Sequence, residues 1–326
     1  MKNLKHIIFG LSLLAFMSCE RTIVDPEGPP VADLYGELKI NNALYTDKDT
    51  VDFQAGEKMT FKANLATQKI WTLTIVGDVS GAQQVFDGNA ADISVVWAGQ
   101  STGLPTFQKE TFTATLSFKN HDTTSVTTGW VASTRIFNAV VVTDFEDGKN
   151  SKWEGFVQTG LNMDYTVKST GAPEGNRYFN MAGEVPWDYF IGSVAIPAQV
   201  EYGTPYFPVS PASTQVYFNM IVKGNGSKYE GGFMLVNVFE DDNGNGTYDV
   251  EGGDDVYTYE FDLDFDGWKI ISVPYSSFKL GTIGNRIWNT NHITSVEIGL
   301  LIPPDNGFVE SGIDLVNFTV GAPFKP

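Results

Sequence analysis

Short hydrophobic runs, broken by turn-forming residues, recur along most of the chain. Within residues 111–118, Phe112, Ala114 and Leu116 alternate with polar residues. This two-residue period predicts a half-buried β-strand, because successive side chains of a strand point to opposite faces. No stretch keeps a helical period beyond a turn or two. The pattern therefore predicts an all-β protein.

Residues 33–138 predict an N-terminal immunoglobulin-like β-sandwich. Turn residues such as Gly77-Asp78 separate the candidate strands, and about seven strands in roughly 100 residues suit that fold. The Cys…Trp…Cys pattern of true immunoglobulin domains is absent. We expect the tryptophans of residues 33–138 to lie in the core of this domain. The strands are Leu34–Ile40, Lys58–Ala63, Trp71–Val76, Ile93–Trp97, Phe112–Phe118 and Val131–Phe137, and the tryptophans are Trp71, Trp97 and Trp130.

Residues 139–326 predict a second β-rich domain. Eight or nine strands in about 180 residues fit a C-terminal jelly roll built from two sheets. The candidate strands are Val140–Phe145, Arg177–Met181, Phe190–Ile196, Gln215–Ile221, Phe233–Glu240, Asp255–Phe261, Trp268–Pro274, Ile293–Ile302 and Gly312–Thr319.

The first 18 residues have the layout of a secretory signal. Lys2 and Lys5 precede an almost wholly apolar run, which is too short to span a bilayer. Ser18 then precedes Cys19, the only cysteine, as in a bacterial lipobox. We expect cleavage before Cys19 and its acylation. The alternative is an ordinary signal peptide followed by an incidental cysteine.

Residues 19–32, rich in proline, predict an extended tether between a lipid anchor and the first domain. Acyl chains on Cys19 would hold the protein on a membrane. The anchor alone does not identify the membrane or the leaflet.

The charge balance excludes several classes of function. With 21 basic and 39 acidic residues, the net charge is -18, so the phosphate backbone of nucleic acids would repel the chain. A single cysteine excludes an intramolecular disulfide, and three histidines make a histidine-rich zinc site implausible.

Three passages of the second domain follow a recognisable order. They are Asp144–Gly148, Phe261–Phe278 with its Asp266-Gly267-Trp268 turn, and Ile313–Phe318. In order and spacing they resemble the galactose-binding-like jelly-roll carbohydrate-binding modules of bacterial surface lipoproteins and glycosidases. With the lipobox and spacer domain, the chain resembles glycan-capturing lipoproteins of polysaccharide-utilisation systems. The resemblance implies a glycan ligand, an outer-membrane or cell-surface location, and an outer-membrane transport complex as a partner.

Candidate sugar-binding residues cluster in polar, proline-flanked loops. Sugars offer apolar C–H faces and many hydroxyls, so they need exposed rings beside polar side chains. Since loop rings are less needed for a core, we select Trp187, Asp188, Tyr189, Tyr206 and Trp288. The alternative is that these rings fill the core of a large jelly roll.

An acidic stretch resembles the start of a calcium-binding loop. Oxygen-bearing side chains alternate at Asp241, Asn243 and Asn245, followed by Gly246 and then Asp249. The twelfth position is Gly252, not Glu, so Glu251, Asp254 or Asp255 would complete the site. Hard oxygen ligands select Ca²⁺ over zinc. The alternative is a solvated acidic turn without metal.

The resemblance to carbohydrate-binding modules also implies a second Ca²⁺ site. It would lie where the first and last strands of the second domain meet, with Glu146 and Asp314 as candidate ligands.

The chain shows no recognisable catalytic motif. G-x-S-x-G, a phosphate loop and HExxH are absent, and nothing singles out a catalytic pair among the 39 acids. We therefore predict a non-catalytic glycan-binding lipoprotein. The alternatives are an adhesive lipoprotein with a protein partner, marked by a large apolar patch, and an unrecognised glycoside hydrolase, marked by two carboxyl groups in one cleft.

Overall fold

A computed structural model describes residues 37–209, 213–282 and 284–326. The predicted signal peptide, Cys19 and the tether lie outside the described residues. The prediction of an all-β fold is confirmed, since the one α-helix among the described residues, α1 (Ala198–Glu201), has four residues. The strands are β1 (Ile40–Thr46), β2 (Thr50–Asp52), β3 (Met59–Gly77), β4 (Gln83–Trp97), β5 (Thr111–Phe118), β6 (His121–Ser133), β7 (Val140–Thr143), β8 (Glu154–Val157), β9 (Leu161–Lys168), β10 (Tyr178–Glu184), β11 (Phe190–Pro197), β12 (Val216–Asn225), β13 (Phe233–Glu240), β14 (Val256–Asp262), β15 (Asp266–Pro274), β16 (Lys279–Thr282), β17 (Ile293–Leu301) and β18 (Val309–Val320).

The first six strands form one hydrogen-bonded sheet that folds over on itself. Its order is β1-β3-β5-β6-β2, with β4 also paired to β3. The long β3–β4 hairpin shifts register between Asn64 and Lys69, and β3 pairs first with β1 and then with β5. The two halves enclose an aromatic core, in which the ring centroids of Phe61 and Phe112 are 5.9 Å apart.

Two details of the first sheet differ from the prediction. The expected strands Lys58–Ala63 and Trp71–Val76 are parts of the single strand β3, because the register shift bends the hairpin without ending it. Trp71 and Trp97 are buried as expected, but Trp130 is 37% exposed. The prediction for Trp130 was wrong because its side chain lies on the outer face of β6, where alternation sends every second residue to solvent.

Residues 140–320 form two antiparallel six-stranded sheets. The back sheet has the order β15-β12-β18-β10-β9, with β7 also paired to β18, and the front sheet has the order β16-β14-β13-β17-β11-β8. Fully buried side chains from both sheets, including Phe218, Phe318, Val236 and Ile298, form the core between them. The outer face of each sheet points away from this core, and the two outer faces differ in how far other parts of the chain cover them.

The outer face of the back sheet is covered. Ile221 and Leu315 are buried beneath Phe324 of the C-terminal tail, and Phe137 packs against Phe324 with a centroid distance of 4.9 Å. A backbone hydrogen bond of 2.8 Å from Thr106 N–H to the Pro173 carbonyl also ties the first sheet to this side. The front sheet keeps an open outer face and is the surface on which a ligand can lie.

Candidate functional site

Alternation along the front sheet decides which side chains reach its outer face. In β13, Val236 and Val238 point into the core, so Asn237 and Phe239 point outward. Directly paired residues of antiparallel strands share a face. The strand register therefore builds one outward row across all six strands: Lys279, Thr258, Asn237, Glu297, Ala195 and Glu154.

The middle of this row is a chain of hydrogen bonds. Thr258 Oγ1 donates to Asn237 Oδ1 at 2.9 Å, and Asn237 Nδ2 donates to Glu297 Oε2 at 3.1 Å. Ser193 Oγ, in the adjacent row, donates to the other Glu297 oxygen at 2.6 Å. The network fixes the Glu297 carboxylate on the sheet surface, where it can accept further hydrogen bonds from ligand hydroxyls.

Aromatic rings flank the polar row on both sides. On edge strand β8, Phe156 is 48% exposed and stacks on Phe190 with a centroid distance of 5.7 Å. On the other side, Phe239 contacts Tyr248 edge-to-face at 4.9 Å. Phe156, Phe239 and Tyr248 line an open cleft of about 540 Å³, together with Glu154, Ala195 and Glu297 of the polar row. Asn237 lies outside this lining and contacts it through Glu297. Rings beside fixed hydrogen-bonding groups suit a ligand with alternating apolar and hydroxylated surfaces.

One wall of the cleft comes from two loops that Asp241 holds together. Pro205, from the segment after α1, and Gly246–Tyr248 both line the cleft. The buried Asp241 carboxylate accepts a hydrogen bond from the Tyr206 hydroxyl at 2.7 Å and one from Gly246 N–H at 2.6 Å. The position of this wall therefore depends on a side chain that lies outside the cleft.

Hydrogen bonding keeps Asp241 ionised. Burial opposes the charge, but the hydrogen bonds from Tyr206 and from the backbone N–H groups of Gly246 and Gly244 outweigh it, so the pKa of Asp241 lies below its usual value. The same contact and burial raise the pKa of Tyr206 to about 12, with burial the larger cause. At neutral pH the pair is a charged acceptor with a neutral donor.

Negative charge dominates the outer face. Glu154 and Glu297 lie in the cleft, and none of the described residues that line it is Lys, Arg or His. Glu260 and Asp262 follow in neighbouring outward rows, through their pairing with Leu235 and Phe233. The outward cation in these rows is Lys279, at the end opposite Glu154.

Two of the loop aromatics predicted as binding residues lie beside this face. Trp187 is 63% exposed and Tyr189 is 56% exposed, in the loop that leads into Phe190. Asp188 between them accepts hydrogen bonds from Gln158 Nε2 at 2.8 Å and from Phe190 N–H at 3.3 Å. Asp188 therefore fixes the loop that carries both exposed rings.

The other two predicted aromatics, Tyr206 and Trp288, pack against other rings of the protein. The Tyr206 ring stacks on His292 at 4.6 Å, and its hydroxyl is used by Asp241. Trp288 is half-buried and stacks on Tyr257 at 3.8 Å. None of the five predicted sugar-binding residues lines the cleft, although Tyr206 supports its wall.

Sequence reasoning missed the centre of the site. Phe156, Asn237, Phe239 and Glu297 were not among the predicted binding residues. The signal was present in Asn237 and Glu297, which are polar residues in the middle of otherwise apolar strands. Such a residue must point outward or be paired, because an unpaired polar group inside the core is costly.

The acidic loop, residues 241–255, joins β13 to β14 and is ordered by its own carboxylates. Asp254 is buried and accepts hydrogen bonds from the backbone N–H groups of Asp242, Asn243 and Asp249, at 2.8, 3.2 and 2.8 Å. Glu251 is exposed. Asp254 therefore closes the loop through three backbone hydrogen bonds.

Parts of this loop fit a calcium ion. The side-chain amides of Asn243 and Asn245 both approach Asp249 Oδ2, at 3.5 and 2.9 Å. Rotating each amide by 180° would present its oxygen there instead, and buried Asp242 Oδ1 has no hydrogen-bond partner. The donors are hard oxygens, as calcium requires. No group of three Asp, Glu, His or Cys side chains within the described ranges is arranged as a metal site.

A second concentration of acids lies at the first and last strands of the two-sheet region. Glu146 accepts hydrogen bonds from the N–H groups of Asn176 and Arg177 at 2.6 and 2.8 Å, and buried Asp314 accepts one from Glu174 N–H at 3.1 Å. Burial raises the pKa of Glu174 to about 7, and nearby acidic charges add to the shift. Burial and the charge of Glu174 also raise the pKa of Asp314. A divalent cation would relieve this repulsion, and Glu174 was absent from the predicted ligands.

Comparisons with known proteins find distant structural similarities. No protein-family model and no curated protein matches its sequence. A structure of carbohydrate-binding modules from the β-sandwich superfamily aligns at 11% identity and a TM-score of 0.36, covering 86% of this chain and 98% of its own. SGBP-B, from a complex xyloglucan utilization locus in Bacteroides uniformis, aligns at 14% identity and a TM-score of 0.35, covering 87% and 73%.

A third solved structure covers a smaller part of the chain. It is a carbohydrate-binding module specific for non-crystalline cellulose, at 15% identity and a TM-score of 0.35, covering 57% of this chain and 97% of its own. In the described part of the chain, no helix is long and apolar enough to cross a membrane.

Proposed function

We propose that the protein binds a polysaccharide or oligosaccharide along the outer face of the front sheet, without cleaving it. The supporting observation is the open cleft, in which the Glu297 carboxylate, fixed by Ser193 and Asn237, lies between the Phe156 and Phe239 rings. A sugar ring can place its apolar face on Phe156 or Phe239. Its hydroxyls can then bond to Asn237 and Glu297.

The test is a glycan array with wild-type protein, followed by calorimetric titration of each polysaccharide that it retains. Phe239→Ala should weaken binding about tenfold, equivalent to about 1.4 kcal/mol, because it removes one stacking ring. Trp130→Ala is the matched control, since Trp130 is an exposed ring of the first sheet, far in sequence from the cleft. Equal glycan affinities of Phe239→Ala and Trp130→Ala would show that the cleft is not the binding site.

The chain's location and anchoring belong to the same proposal. Acylated Cys19 would hold the protein on the outer membrane, with residues 19–32 as a tether and residues 33–138 as a spacer domain. The binding domain, residues 139–326, would then face the cell surface, where an outer-membrane transport complex can take up the captured glycan. The separate hydrophobic clusters within residues 44–131 and 142–318 support this division into two domains.

Calcium binding in the acidic loop is a further part of the proposal. Asp241, Asn243, Asn245 and Asp249 would supply the oxygen ligands, and the ion would reinforce a loop that already lines the cleft. A second ion would lie at Glu146, Glu174 and Asp314. Isothermal titration of metal-free protein with Ca²⁺ tests both sites, and the absence of any binding heat or thermal stabilisation would reject them.

A second candidate function is glycoside hydrolysis. Glu154 and Glu297 flank Ala195 in one outward row, two strands apart, which places their Cα atoms about 10 Å apart. In an inverting hydrolase, carboxyl groups about 6.5–9.5 Å apart act as acid and base, a separation that two outward side chains on these strands can reach. Release of reducing ends from a bound polysaccharide, lost in Glu297→Gln, would favour this candidate. Retention without cleavage would favour binding alone.

A further inference from the structure

The charge of the front face restricts the class of glycan that it can hold. Among the described residues of its rows, four carboxylates point outward, at Glu154, Glu297, Glu260 and Asp262, and the one cation is Lys279. Lys279 lies three strands from Glu297, about 14 Å away at the usual strand spacing. At physiological ionic strength an exposed charge at that distance is largely screened.

We propose that this cleft selects uncharged glycans and rejects chains that carry uronic acids or sulfate groups. The inference rests on the proposed glycan-binding function and deepens it by naming the substrate class. The Glu297 carboxylate can only accept hydrogen bonds, and two of its partners, Ser193 and Asn237, already fix its position. A hydroxyl can satisfy it, whereas a ligand carboxylate or sulfate can only repel it.

The position of Glu297 makes this repulsion hard to avoid. It lies in the middle of the row, between Asn237 on one side and Ala195 on the other. A glycan chain that lies along this row passes over Glu297. A charged sugar therefore gains no oppositely charged partner among the described residues lining the cleft.

The test compares neutral polysaccharides with their oxidised forms. Xyloglucan, mixed-linkage β-glucan and galactomannan are used as probes, each in its native form and after oxidation of its primary alcohols to carboxylates. The native and oxidised forms of each polysaccharide have the same sugar backbone and differ in charge. We expect native probes that bind to lose at least tenfold in affinity on oxidation at 50 mM salt. The loss should shrink at 0.5 M salt, because salt screens the repulsion.

Variants separate charge repulsion from a change in shape. Glu154→Gln combined with Glu260→Gln removes two outward charges with little change in volume. This double variant should reduce the difference in affinity between native and oxidised probes. Glu230→Gln is the control. It removes an exposed charge from a loop between the sheets and should leave the difference in affinity between native and oxidised probes unchanged.

Three outcomes can be told apart on a glycan array that includes both neutral and acidic glycans. Binding confined to neutral glycans supports the inference. Equal or stronger binding of oxidised probes or uronic-acid polymers overturns it and leaves the proposed glycan-binding function standing. Binding to no glycan overturns the proposed function and this inference together.

Discussion

Asp241 is expected to control both the stability of the acidic loop and the shape of the cleft. Its carboxylate accepts four hydrogen bonds, from the N–H groups of Gly244, Asn245 and Gly246 at 2.7, 3.2 and 2.6 Å and from the Tyr206 hydroxyl at 2.7 Å. Asp241→Ala removes all of them. The wall of the cleft formed by Pro205 and Gly246–Tyr248 then loses the group that holds it together.

The expected loss of stability follows from those contacts. A hydrogen bond to a charged acceptor contributes about 1.5 to 3 kcal/mol. Water can replace part of the four bonds in the variant, so we expect the free energy of unfolding to fall by roughly 3 to 5 kcal/mol. For a domain of this size that corresponds to a melting temperature about 10 °C lower. Glycan affinity should fall as well, because the wall is no longer fixed.

The assay is differential scanning calorimetry in EDTA, so that hydrogen bonding is measured without any metal. Asp264→Ala is the matched control, because Asp264 is exposed and its removal changes the charge equally. A second measurement is the glycan affinity of Asp241→Asn, which keeps the side-chain shape and one acceptor oxygen and should bind with intermediate affinity. Wild-type stability and affinity in Asp241→Ala would refute the reasoning.

Three further predictions concern the anchor, the metal and pH. Cys19→Ala should release the protein from membranes, and continued membrane fractionation with attached lipid would contradict the lipobox interpretation. Ca²⁺ should raise the melting temperature by mass action, and Asp249→Ala should reduce that rise; identical curves with and without Ca²⁺ would contradict a metal site. In EDTA, stability should fall as pH rises from about 5 to 8, because burial raises the pKa of Glu240 from 4.5 to about 8 and that of Glu174 from 4.5 to about 7. A group with a raised pKa stabilises the fold fully below its unfolded pKa and loses that contribution as pH rises through its folded pKa. Melting temperatures that stay constant or rise between about pH 5 and 8 would contradict this prediction.

The fold class was predictable because alternation survives in most strands. Segment 111–118 is predicted and found as β5, with Phe112, Ala114 and Leu116 buried. Short edge strands such as β8 and β16 were missed, since four residues are too few to show a hydrophobic period. The bend in β3 was also missed, because it depends on pairing with three other strands.

The binding face was harder to predict from the sequence because its outward residues are partly apolar. In β13, Phe233, Leu235 and Phe239 point outward while Met234 and Val236 point inward. Such a strand reads as a continuous apolar run, so its two faces cannot be told apart by periodicity. The half-buried position of Trp288 depends on Tyr257, which is 31 positions away along the chain. Loop composition alone does not reveal such a contact.

The most direct test of the account is a crystal structure of the protein with an oligosaccharide that the glycan array identifies. We expect the sugar on the outer face of the front sheet, with a ring against Phe156 or Phe239 and hydroxyls bonded to Asn237 and Glu297. A sugar bound at another surface, with this cleft free of ligand, would contradict the central claim.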